Sequence, residues 1–236
     1  MQPIPVMEGT IDSVTESRTF LVKVYMWMSA GLFITAGVTI APFFILSESK
    51  YLDLLLDNII IFYVLLGFEF LLVWGLSAMI HKIPSVIGLL VFLFYSFLNG
   101  ITLSPIFIIY TGGSIFSTFA VCAMMFGGTS IIGYITKMDL TKMGAYLMMA
   151  LFGLVGAMIV NLFLRSDSMT WIISLVGVVI FVGLTAYDTQ KLKNMSGSVD
   201  SASEEGKKAS IMGALTLYLD FINLFLFLLR LLGRRR

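Results

Sequence analysis

The chain is short of charge and nearly without cysteine. Only 12% of its 236 residues are Asp, Glu, Lys or Arg, where a soluble domain carries about 25%. Such a chain cannot clothe a globule in polar surface, and 58% of it is hydrophobic. Its class is therefore that of an integral membrane protein. Its one cysteine, Cys122, excludes an intrachain disulfide framework and any metal site built on several cysteines. A formal net charge of +1 leaves no basic footprint for nucleic acid. There is no metal-ligand spacing, phosphate loop or nucleophile elbow, so neither an enzyme nor a bound cofactor is expected. No short-period repeat appears. Residues 1–20 are polar and lack the basic-then-apolar order of a signal peptide, so they are read as a polar N-terminal tail.

What is present is length of apolar sequence. Seven runs each approach the 17–25 residues that cross a bilayer as a helix. They cover about Leu21–Leu46, Asn58–Ile80, Pro84–Tyr110, Ser114–Thr136, Met143–Leu164, Met169–Gln190 and Ile211–Leu232. None alternates with the period of two that marks a membrane barrel. The reading is an all-α protein, with one transmembrane domain over residues 21–233 and a basic tail at 234–236. Pro105 is expected to kink the third helix. Lys191–Ser210, small and polar, is expected to be a solvated loop. Glycines within the runs (Gly127, Gly128, Gly153, Gly156, Gly177, Gly183) are read as places where helices approach closely.

Basic residues orient the chain. With the N-terminus in the cytoplasm, the inner flanks hold Arg18, Lys23, Lys82, Lys137, Lys142, Lys191, Lys193, Lys207 and Lys208. The outer links hold only Lys50 and Arg165. The tail of Arg234, Arg235 and Arg236 sits outside if the seventh run crosses fully, and inside if that run is re-entrant. Charge favours the re-entrant form and length favours the full span, which is the form expected.

Three acids interrupt the apolar runs: Glu69, Asp188 and Asp220. A carboxylate near the bilayer centre costs about 2.5–3.5 kcal/mol on insertion scales, and those retained usually serve a site or pathway. No basic residue lies at comparable depth. Asp220 stands on a polar stripe with Thr216 and Asn223, at helical spacing. Thr185 and Asp188 form a shorter stripe on the sixth run. The spacing permits Asp188 and Asp220 to meet without compelling it. If they meet, the pair shares a proton and becomes sensitive to pH. His81 and Lys82 close the second run and read as interface residues, with a lesser reading as a cation for Asp188.

The segments FVGLTAYDTQKLK (Phe181–Lys193), ALTLYLDFINLFLFLLRLLG (Ala214–Gly233) and NGITLSPIF (Asn99–Phe107) resemble the Bax inhibitor-1 family, also called the transmembrane Bax inhibitor motif family. The length is similar to that of bacterial inner-membrane members. The resemblance implies a seven-helix bundle with the last helix central. It implies a proton-sensitive calcium leak governed by Asp188 and Asp220, which would hold permeant calcium weakly and in transit. Glu69 stands where the family has its second-helix acid. Some members carry an arginine latch after that acid; here the position offers His81 or Lys82. Implied partners are the lipid bilayer, calcium ions and protons. Two other readings stand beside the leak. One is a regulatory protein that binds a membrane protease or a stress or death factor through its tail and long loop. The other, weaker, is an intramembrane aspartyl protease, since no Gly-x-Gly-Asp precedes either aspartate.

Overall fold

In a computed structural model, residues 8–45 and 59–236 are described. The link holding Lys50, with the ends of the first two runs at Leu46 and Asn58, lies outside them. Seven long helices follow in order: α1 Glu8–Ile45, α2 Ile59–Met79, α3 Ser85–Leu103, α4 Gly112–Ile135, α5 Thr141–Leu164, α6 Asp167–Ser196 and α7 Glu204–Leu232. All seven contain a segment long and apolar enough to cross a membrane. No strand occurs among the described residues, so the protein is a seven-helix membrane bundle. Of the apolar window of α7, 72% is buried, against 6% of that of α5. The last helix is thus the one most enclosed by protein.

The chain forms two compact units, 1–108 with 195–215, and 109–194 with 216–236. In the first unit α1 lies against α3. The buried face of α1 runs through Phe20, Val24 and Met28 to Thr35 and Thr39. Thr35 Oγ1 donates to the Ser96 carbonyl at 2.9 Å, and Thr39 Oγ1 to that of Gly100 at 3.0 Å. A Cβ on Gly100 would sit 2.8 Å from the Thr35 carbonyl oxygen, so only glycine allows this approach. Polar residues before Leu21 continue the helix: α1 already runs at Glu8. Ser17 Oγ donates to the Ser196 carbonyl (3.1 Å) and Lys23 Nζ to that of Ser201 (2.7 Å).

The long loop expected at Lys191–Ser210 is not one. Helix α6 runs on to Ser196 and α7 starts at Glu204, leaving seven residues, 197–203. Lys193 in the last turn of α6 and Glu204 and Glu205 in the first turn of α7 match the helix dipoles. Ser203 caps α7, its Oγ accepting from the Gly206 N–H at 3.0 Å. Glu204 in turn accepts from the Ser85 N–H (2.5 Å) and hydroxyl (2.9 Å) at the start of α3. Pro105 does more than kink the third span. Helix α3 stops at Leu103, and a short helical turn, Ile106–Ile109, follows, because Pro105 offers no N–H and crowds the preceding turn.

In the second unit the tail pairs with the start of α4. The Thr111 N–H donates to the Arg234 carbonyl (3.1 Å) and the Arg236 N–H to that of Ile109 (3.0 Å). Helix α7 therefore begins beside the start of α3 and ends beside the segment that follows α3. It is unbroken over 29 residues, about 44 Å at 1.5 Å per residue, which exceeds the roughly 30 Å hydrocarbon core. This length suits the full span expected of the seventh run. At the α5–α6 turn Arg165 adopts φ 51°. This left-handed residue is held by Asn161, whose carbonyl accepts the Arg165 N–H (2.8 Å) and whose Oδ1 accepts the Ser166 N–H (3.1 Å).

Not every glycine marks a packing contact. A Cβ on Gly177 would meet the Phe227 ring at 2.7 Å, and one on Gly183 would meet Leu147 at 2.7 Å. A Cβ on Gly127, Gly128, Gly153 or Gly156 would meet no atom of a neighbouring helix within 4 Å, so close helix approach among the described residues does not explain these four. Gly133 makes the closest approach between helices in the second unit: a Cβ there would overlap the Ala186 carbonyl oxygen and stand 2.9 Å from the Ala186 Cα. Gly133→Ala must push α4 off α6, and we expect a loss of about 1–3 kcal/mol or more. Gly153→Ala should be neutral or slightly stabilising. Thermal unfolding of the two variants in detergent checks the contrast; equal melting temperatures would contradict the close contact.

Candidate functional site

The two aspartates meet. Asp188 of α6 and Asp220 of α7 are 9% and 5% exposed, and their carboxyls hydrogen-bond to each other. An ionised carboxylate only accepts hydrogen bonds, so a bond between two carboxyls needs one proton. The cation acting on Asp188 is Lys191, one helical turn further along α6. The second oxygen of Asp220, Oδ2, is buried and makes no hydrogen bond within the protein. Among the described residues no three His, Cys, Asp or Glu side chains gather to hold a metal.

The α6 side of the pair is held by close backbone contacts. Ala186 meets Gly133 of α4, the Tyr187 ring covers Gly144 of α5, and Gly183 receives Leu147. Just beyond Asp188, the Gln190 amide clamps the α4–α5 link. Its Oε1 accepts from the Leu140 N–H (2.8 Å) and its Nε2 donates to the Met138 carbonyl (2.7 Å). Lys193 Nζ donates to the Tyr134 carbonyl at 2.6 Å and lies over that ring. Asp139 in this link accepts from the Thr141 hydroxyl and N–H, which hold its carboxyl below the ordinary value. On the α7 side the neighbours are rings. Phe221 packs edge-on against Phe119 and Phe126 of α4, and Phe225 against Phe119.

The expected supporting groups divide. Thr185 is fully buried, but its hydroxyl donates to the Phe181 carbonyl of its own helix at 2.7 Å. Asn223 likewise donates to the Leu219 carbonyl at 2.8 Å. Neither donor goes to the pair, because a hydroxyl or amide in a helix in lipid reaches its own preceding turn most easily. Thr216, on α7 one turn before Asp220, is half-buried.

Glu69 belongs to a different cluster, in the first unit. It is 5% exposed on α2 and accepts from Thr102 Oγ1 (2.9 Å) and Asn99 Nδ2 (3.2 Å) of α3. Asn99 and Thr102 lie in NGITLSPIF, so this segment serves to house a buried acid. His81 is exposed, with Nδ1 3.6 Å from Glu205 Oε2, and its carbonyl accepts from Lys208 Nζ at 3.2 Å. Lys82 is exposed as well. In the first unit His81 thus faces Glu205, and in the second the cation acting on Asp188 is Lys191.

A model of the family described as inhibitor of apoptosis-promoting Bax1 matches residues 17–236. The chain belongs to the Bax inhibitor-1 family. It is 47% identical to the inner membrane protein YbhL of Escherichia coli over 230 residues, 95% of this chain and 97% of that one. A Borreliella burgdorferi protein is 45% identical, covering 92% of each chain. The Lactococcus lactis protein YrjE is 38% identical, covering 92% of this chain and 91% of its own. These proteins resemble the chain over nearly its whole length, so the seven helices and both aspartate segments fall inside the shared region.

Sequence reasoning alone does not single out Gln190 or Lys191 of α6 as neighbours of the pair, or Asn99 and Thr102 of α3 as donors. It also misses Ser130 of α4, whose buried hydroxyl makes no hydrogen bond within the protein. The signal for Asn99 and Thr102 is their i, i+3 spacing opposite an apolar-run acid. Removing one donor from a buried carboxyl leaves it under-satisfied. Thr102→Val is therefore expected to cost about 1–3 kcal/mol and Glu69→Gln less, as read by chemical or thermal unfolding. An unchanged melting temperature for Thr102→Val would contradict the Glu69 cluster.

Proposed function

We propose that the protein is a pH-sensitive cation leak of the membrane, passing calcium, with Asp188 and Asp220 as its gate. The observation that carries this reading is the hydrogen bond between two buried carboxyls. With one shared proton the pair attracts and ties α6 to α7. Without it, two unit charges about 4 Å apart repel by about 4 kcal/mol at an effective dielectric of about 20. A swing of that size is about a thousandfold in an equilibrium, enough to separate the helices that the bond had joined.

The freed carboxylates are hard oxygen ligands. Calcium takes six to eight oxygens, and two aspartates supply at most four, so the ion passes rather than stays. The reading rests on family membership for the class of protein and on the pair for the gate. It places the N-terminus in the cytoplasm on the Lys and Arg bias, in an inner membrane as for YbhL. The regulatory reading, in which the chain binds another membrane protein, gains no comparable geometric support.

The sign of the pH effect follows from the charge state. The closed pair needs its proton, so flux rises as pH rises through the range where that proton leaves. Calcium entry into dye-loaded proteoliposomes, from about pH 6 to 8, should increase for the wild type. Asp220→Asn and Asp188→Asn cannot form the doubly charged state, so their flux should lose its pH dependence. Flux at background in the wild type and both variants would move the weight to the regulatory reading.

A further inference from the structure

Three arginines follow α7, and the second unit holds their backbone in place. Residues 233–236 lie antiparallel to residues 109–111, which lead into α4. Tyr110 faces Arg235 across a single bridge. On either side of that bridge the Thr111 N–H donates to the Arg234 carbonyl and the Arg236 N–H to that of Ile109. The Arg234 N–H donates to Ser114 Oγ at 2.7 Å. A Cβ on Gly233 would stand 2.6 Å from the Tyr110 ring, so the exit from α7 is packed as well. On the arginine side every one of these ties is made by the backbone, which leaves the three side chains uncommitted.

Arg234, Arg235 and Arg236 are exposed, and none of them forms an ion pair among the described residues. Arg230, in the last turn of α7, differs, because it lies over the Phe227 ring. In an extended segment successive side chains leave on opposite sides, so Arg234 and Arg236 share one side. A guanidinium is a planar fork that matches the oxygens of a phosphate group. A backbone already ordered lowers the entropy cost of binding such a group.

Position in the membrane names the source of the anion. The segment begins directly after Leu232, the last residue of a helix long enough to span, so its arginines stand at the depth of lipid headgroups. Ile109, Phe116 and Leu232 beside it are exposed, as side chains facing acyl chains are. The Lys and Arg bias sets this end of α7 away from the cytoplasm, where three adjacent arginines find no support from the charge rule. A counter-charge from the membrane itself offsets them. We propose that Arg234, Arg235 and Arg236 form a docking surface for the headgroup of an anionic phospholipid, with Ile109, Phe116 and Leu232 against its acyl chains. The surface does not depend on the aspartate gate.

The test uses the full chain in detergent with equal amounts of phosphatidylglycerol and phosphatidylcholine, and native mass spectrometry counts the lipid retained. Each basic residue at an anionic surface is worth about fivefold in affinity, so the wild type should prefer phosphatidylglycerol by about tenfold or more. Arg234→Gln, Arg235→Gln and Arg236→Gln together should bring that preference near unity. Lys82→Gln, Lys137→Gln and Lys142→Gln together remove the same charge from exposed positions elsewhere and should leave it. An equal loss in that second variant means that net charge alone is being read, and overturns the surface. A wild type without preference overturns it directly. Glycerol phosphate in solution should not displace the lipid; if it does, the arginines take a soluble phosphate and the lipid assignment falls. Salt supplies a reading that needs no variant. The wild-type preference should fall several-fold between about 50 and 500 mM KCl as screening shortens, and a preference indifferent to salt would contradict a headgroup held by arginines.

Discussion

Two buried carboxyls that face each other, Asp188 and Asp220, are the constraint on which the second unit is organised. Asp188 and Asp220 are 9% and 5% exposed, and each would carry a large cost if ionised alone in a low-dielectric setting. Meeting each other with a single proton removes one of the two charges and satisfies one oxygen of each. In the proposed gate the arrangement holds only while the proton stays, so the same bond that joins α6 to α7 makes the joint conditional. Hydrogen-bonding polar residues usually act in membranes as unconditional glue. Glu69, with its Thr102 and Asn99 donors, is of that kind. An acid supplied with two donors needs no second acid, and an acid facing only another acid needs a proton.

Much of this is legible in the sequence, and the reasons are particular. Long apolar runs mark spans because the bilayer leaves the backbone no other way to satisfy its hydrogen bonds. Asp188 and Asp220 stand out because nothing basic shares their depth. Helix ends are misread where polarity is taken for loop. Lys191, Lys193, Glu204 and Glu205 are polar, yet they extend α6 and α7, because their charges suit the helix dipoles and Ser203 caps the turn. Polarity reports exposure to water, and a helix can project beyond a membrane without ceasing to be a helix.

Hydroxyl and amide residues are the hardest to read. Thr185, Thr129 and Ser96 all donate to the carbonyl four residues back, and so does Asn223. Ser130, with the same kind of side chain in a similar apolar setting, does not. No local pattern separates the two cases, because the difference lies in what the facing helices present. The glycines carry the same lesson. Gly133 and Gly153 are alike in sequence context, but one touches the Ala186 backbone and the other has open space within 4 Å.

The packing around the pair is unequal, and this bears on how a change of charge would be taken up. On the α6 side the Ala186 backbone meets bare glycine at Gly133, and the Tyr187 ring and the Leu147 side chain press on bare glycine at Gly144 and Gly183, reinforced by the Gln190 clamp. Interiors packed this tightly resist displacement. On the α7 side the contacts are edge-to-face phenylalanines, whose geometry tolerates a broad range of offsets. Helix α7 is tied at its start through Glu204 and Ser85 and at its end through Arg234 and Thr111. In the proposed gate, therefore, it is the ring-packed α7 side of the pair rather than the tightly packed α6 side that takes up the repulsion between the carboxyls.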